Sequence, residues 1–140
     1  MLKIYMISCL ICISSFVSAQ QVKNLLEQKT FTQLENIHVT KLFEDSLSSS
    51  FLIVIRNEVA AHKHIEHSEH VYVIEGEADF VLNETLIKIK PGDFIFIPKN
   101  TIHKLTVTSK IPMKAISIQA PYFNGSDRIL IKELNNSDEY

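Results

Sequence analysis

His62-Lys63-His64-Ile65-Glu66-His67-Ser68-Glu69 runs on to Gly76, and a second cluster follows downstream with Gly92, Pro98 and His103. As spacing this is H-x-H-x4-E-x6-G, then G-x5-P-x4-H. On an extended strand, side chains two residues apart point to one face, about 7 Å apart along the backbone. His62 and His64 can therefore lean toward one ion, with imidazole nitrogens about 2.1 Å from it. Glu69 comes too late to continue that alternation, so residues 65–68 must bend to return the carboxylate to the same centre. His103 closes the site from another strand. Three imidazole nitrogens and one carboxylate suit Fe, Mn, Zn, Ni or Cu better than Mg or Ca, which prefer oxygen shells. On a six-coordinate ion, four such ligands leave two positions open.

These two clusters resemble the motifs of the cupin superfamily. The first family motif, roughly G-x5-H-x-H-x3,4-E-x6-G, is matched by His62, His64, Glu69 and Gly76, with Arg56 where the leading glycine would stand. The second, roughly G-x5-P-x-G-x2-H-x3-N, is matched by Gly92, Pro98 and His103, with Asn100 for the second glycine and Val107 for the closing asparagine. Asn100 also tolerates positive φ, and neither departure touches a ligand position. The resemblance covers roughly residues 50 to 120. It implies an all-β fold, a cupin-type antiparallel β-barrel of jelly-roll kind. It also implies one divalent transition metal inside the barrel, held by His62, His64, Glu69 and His103.

The other histidines read differently. His38 sits on the polar side of an alternating stretch and is expected at the surface. His67 lies in the loop between ligands, and His70 follows Glu69, where alternation turns it away from the ion, so both are expected to be solvated.

The first 19 residues do not belong to the fold. Lys3 gives a short positive start, Ile4 to Val17 is mostly apolar, and Val17-Ser18-Ala19 before Gln20 has the small-residue pattern of a secretory cleavage site. The apolar run is short for a bilayer span of ~20 residues. Cys9 and Cys12 would leave with the leader, so the mature chain needs no disulfide and offers no thiolate. A secreted or periplasmic product is expected. Losing Lys3 leaves 13 basic residues against 16 acidic ones, a formal charge of -3. No basic stripe remains to attract nucleic acid or anionic lipid, and no membrane partner is expected once the leader is gone.

Val22, Leu25 and Leu26 recur at helical spacing and predict a short N-terminal helix. Ile37 and Val39 alternate with polar residues, and Ser46 to Ser50 reads as a polar linker. Seven β-branched or aromatic runs follow: 51–55, 71–74, 79–82, 86–89, 94–97, 103–108 and 114–118. Their density points to a compact antiparallel barrel. Pro91-Gly92 supplies the fixed and the positive φ of a type II turn, and Asn83-Glu84 is a plausible hairpin tip. The organisation is therefore a leader at 1–19, an extension and first strand at 20–45, the barrel at 46–123 and a tail at 124–140. Asp127-Arg128 is read as a cap just beyond the barrel, and residues 135–140 as a loose end.

A barrel interior of this kind excludes water and leaves open positions for a small-molecule substrate or ligand. Candidate wall residues are Val71, Val73, Phe94, Phe96, Leu105, Val107, Ser117 and Gln119. Two readings follow. One is a metal-dependent enzyme acting on a small oxygenated molecule, as a dioxygenase, decarboxylase, oxidase, isomerase or lyase. The other is a noncatalytic protein that binds a metal or a ligand such as a sugar. A proton-transfer enzyme needs a second polar group in the pocket, which a binder does not. Small cupins that open unsaturated uronate sugars carry Asp and Arg at the end of the last strand, where this chain has Ser117 to Phe123 with neither. Arg56 and Tyr72 are the polar alternatives, as a rim and a sheet-face residue. No catalytic residue is assigned from sequence, and a homodimer is left open.

Overall fold

The computed structural model describes residues 21–25 and 35–131. Among them lie ten strands: β1 (Ile37–Glu44), β2 (Ser49–Ile55), β3 (Glu58–Lys63), β4 (Ser68–Glu75), β5 (Ala78–Leu82), β6 (Thr85–Ile89), β7 (Phe94–Ile97), β8 (His103–Val107), β9 (Met113–Ala120) and β10 (Ile129–Leu130). All pair antiparallel, in two sheets ordered β1-β2-β9-β4-β7 and β10-β3-β8-β5-β6. Each of the seven expected runs is a strand, with ends moved by a few residues.

Alternation decides what faces inward. Phe80, Leu105, Ile97, Val73, Met113 and Ala115 form one buried cluster with Ile55, Ala78 and Ile89. Burying a Val, Leu, Phe or Met side chain of this kind contributes about 1.5–3 kcal/mol before entropy is counted. The cluster includes Val73 of β4 and Leu105 of β8, so it fixes the strands that carry Glu69 and His103.

Three turns hold the register. Gly76, at φ 78°, passes so close to β9 that a Cβ there would stand 2.7 Å from Met113 Cα. Only glycine fits both the angle and the approach. Gly92, at φ 95°, follows Pro91 in a turn closed by the Asp93 amide donating to the Lys90 carbonyl at 3.1 Å. Asn100 stands where the motif has glycine and takes φ 60°. Its amide donates to the His64 carbonyl at 2.5 Å, which clips the two motif segments together.

Several expectations need correction. The N-terminal helix has no support: residues 21–25 have no regular structure and Val22 is exposed, while Leu26 lies outside the described residues. The leader at 1–19 and the end at 135–140 also lie outside the described residues. The polar linker at 46–50 is shorter than expected, because Ser49 and Ser50 already belong to β2. Ser49 is fully buried, with its hydroxyl accepting from the Phe123 amide at 3.0 Å. The sheets also reach past 46–123 at both ends, through β1 and β10.

Candidate metal centre

His62 lies near the end of β3 and pairs across the ladder with His103, the first residue of β8. An irregularity in β3 between Val59 and His62 re-aims the strand just before the histidine. β3 ends at Lys63, so His64 stands one residue past it rather than on the strand. Glu69 enters from the opposite sheet on β4. All four are buried. The rings of His62 and His103 are 4.1 Å apart at their centroids, and one nitrogen from each of the three histidines lies within 4.8 Å of the others.

The backbone fixes each ring. His62 Nδ1 donates to the Ala60 carbonyl at 2.8 Å, His103 Nδ1 to the Thr101 carbonyl at 3.0 Å, and His64 Nδ1 to the Asp127 carbonyl. With Nδ1 protonated, each Nε2 keeps its lone pair. The Nε2 atoms of His64 and His103 have no hydrogen-bond partner. Glu69 Oε2 faces them at 3.5 and 3.6 Å. Those gaps are long for hydrogen bonds to a carboxylate. They match the separation, about 3–4 Å, of two donors each about 2.1 Å from a common ion. The three histidines form a cluster that could hold a divalent transition metal, with the Glu69 carboxylate within 3.6 Å of two of the ring nitrogens.

The buried titratable groups are shifted in different directions. Burial pushes the Glu69 carboxyl up, but the facing His103 and His64 rings and the Ser117 hydroxyl outweigh it and hold it well below the usual carboxylate range. Burial, helped by the neighbouring His103, lowers His62 to about 4. Burial also lowers His64, but Glu69 and the Asp127 carbonyl more than offset it, so its net shift is upward.

The loop between ligands is held by a residue assigned only as a cap. Asp127 accepts from the backbone amides of Ile65, Glu66 and His67 at 3.0, 2.7 and 3.1 Å, and from His67 Nδ1 at 2.6 Å. Burial raises its carboxyl, yet His67 and these amides bring it down to about 2. His67 Nε2 lies 2.9 Å from the Tyr122 carbonyl. His67 is therefore buried and structural, contrary to the solvated role expected of it. His70 does turn away from the centre, but it stacks on Phe94 and Phe96 on the outer face rather than standing in water.

A cavity of about 230 Å³ opens from the centre. Val71, Leu105 and Gln119 line it as expected, whereas Val73 is buried in the core. Phe94 and Phe96 are 63% and 52% exposed and do not wall it. Glu69 pairs with Ile97, so odd-numbered β7 residues face inward, a register that the phenylalanine-rich sequence hides. Phe51, Ile53, Val59 and Phe123 supply walls that sequence reasoning missed, and Arg128 stands at the exposed rim. Tyr72 is on the outer face and Arg56 is exposed, so neither provides the polar group sought for the pocket.

The family model that describes the cupin domain matches residues 53–119. This chain belongs to the cupin family. It is 30% identical over 117 residues to an uncharacterized protein of Aquifex aeolicus, covering 82% of this cupin and 96% of that protein. Over 53 residues it is 32% identical to quercetin 2,3-dioxygenase of Bacillus subtilis, covering 38% of this chain and 16% of that enzyme. A Streptomyces PAC13 variant solved with uridine shares the fold at a TM-score of 0.64, with 20% identity, 81% of this cupin covered and 92% of that chain.

Proposed function

We propose that this cupin is a metal-dependent enzyme acting on a small oxygenated molecule, exported to the periplasm or the medium after removal of residues 1–19. The observation that carries the reading is the pair of orphaned Nε2 atoms, on His64 and His103, facing Glu69 Oε2 beside an apolar cavity. His62, His64, Glu69 and His103 would hold one Fe, Mn, Zn, Ni or Cu ion, which would supply Lewis acidity and, for a redox metal, electron transfer.

The chain's own residues do the rest. The backbone carbonyls at Ala60, Thr101 and Asp127 keep the ring tautomers that aim Nε2 inward. Ser117 orients Glu69 from behind. Phe51, Ile53 and Val71 exclude water from the space in which a substrate would lie. Gln119 adds an uncharged hydrogen-bonding amide on the cavity wall, which would orient a substrate rather than transfer a proton.

Metal analysis of the mature protein, followed by a screen of oxygenated substrates with Fe, Mn, Zn, Ni and Cu, tests the reading. Stoichiometric metal with turnover supports it. Metal without turnover on any of them makes the protein a noncatalytic metal-binding cupin, and failure to bind any metal overturns the centre itself. N-terminal sequencing of exported protein should begin at Gln20.

A further inference from the structure

Three buried side-chain polar atoms have no hydrogen-bond partner among the described residues: His64 Nε2, His103 Nε2 and Gln119 Oε1. An ion accounts for the first two. It does not account for the third, an amide oxygen on a residue 6% exposed that lines the cavity. Gln119 on β9 is the direct cross-strand partner of Glu69 on β4. Such partners have Cβ atoms about 4.5–5.5 Å apart, so the amide lies within one side chain of the centre. Its nearest hydroxyl neighbour on β9, Ser117, is already committed to Glu69 Oε1. Its apolar neighbours on the same sheet that line the cavity, Phe51, Ile53, Val71 and Met113, have no side-chain donor to offer. A buried acceptor without a donor is unfavourable, and a ligand that brings one removes the deficit.

We propose that Gln119 Oε1 receives a hydroxyl of the substrate, next to the oxygen that reaches the histidine centre. The cavity then takes a small 2-hydroxy acid or 2-hydroxy ketone with an apolar body. A polyhydroxylated sugar fits poorly, because away from Lys104 and Arg128 its remaining hydroxyls would lie unpaired against phenylalanine and branched aliphatic walls. This inference rests on the metal reading above.

The test uses mature protein loaded with Co(II), whose visible bands report its coordination. Mandelate carries a carboxylate, an adjacent hydroxyl and a phenyl group, and its O-methyl ether lacks only the donor. Wild type should bind mandelate about tenfold or more tighter than the ether. Gln119→Leu should bind Co(II) as wild type does and bring the two ligands within about twofold. Gln119→Met, closer in shape, replaces the leucine variant if that does not fold. Equal binding of the pair by wild type, or a preference that survives in the variants, overturns the role of Gln119 and leaves the metal centre standing. Glucuronate binding as tightly as mandelate overturns the apolar-body assignment. Absence of Co(II) binding by wild type overturns this inference and the metal reading together.

Discussion

Ser117 Oγ stands 2.5 Å from Glu69 Oε1, on the adjacent strand and on the side of the carboxylate away from the histidines. The hydroxyl donates to that oxygen and leaves Oε2 to face His64 and His103. Both residues are buried, so no water competes for the bond.

Ser117→Ala should therefore weaken metal binding without unfolding the barrel. Loss of an orienting partner of this kind costs about 10–100-fold in affinity. Competition for Zn(II) against a chromophoric chelator reads it directly, and affinity within about twofold of wild type would show that Glu69 needs no support.

A bound ion should raise stability by an amount set by its saturation, about 2.7 kcal/mol at a hundredfold excess over Kd. Thermal melts of wild type should shift upward with added Zn or Mn and downward with chelator. His64→Ala should lose that increment and match wild type in chelator, or exceed it, since a cluster of polar groups has left the interior. A wild-type melting temperature indifferent to chelator and metal alike would point to a metal-free barrel.

Asp127 should stabilise the loop through its charge. Its carboxyl is lowered from 3.8 to about 2. A lowered acid contributes fully above its unfolded value and loses the contribution as pH falls through the folded one. Asp127→Asn should thus be less stable than wild type at pH 6, and the difference should close as pH falls from about 4 to about 2. Urea unfolding of both proteins across that range measures it. A gap independent of pH would assign the effect to shape rather than charge.

Gly76→Ala and Gly92→Ala separate crowding from backbone strain. At Gly76 the new Cβ meets Met113 Cα at 2.7 Å and the Pro112 carbonyl at 2.9 Å, whereas at Gly92 nothing lies within 4 Å. The first should cost about 2–4 kcal/mol and the second about 1 kcal/mol. Comparable losses in chemical denaturation would mean that β9 yields to the intruding methyl.

The motif made the fold and the clustering of His62, His64 and His103 legible, because fixed spacing on strands leaves few ways for those side chains to meet. Asn100 was legible too, as a residue able to take the glycine's angle. What could not be read was register. Phe94 and Phe96 look like walls until the Glu69–Ile97 pairing turns them outward. Asp127 was equally hidden, since it serves a loop 60 residues earlier and no local pattern announces such a contact. The N-terminal spacing of Val22, Leu25 and Leu26 was a pattern with no structural counterpart at residues 21–25.

His62 and His103 belong to one sheet and Glu69 to the other. An ion held where they meet would be a cross-tie between the two halves of the sandwich, and its retention would gauge how firmly those halves are closed. Replacements deep in the shared core and away from the cavity lining, such as at Val73 or Ile89, should speed the escape of a bound ion, because each opening of the sandwich pulls the carboxylate away from the imidazoles.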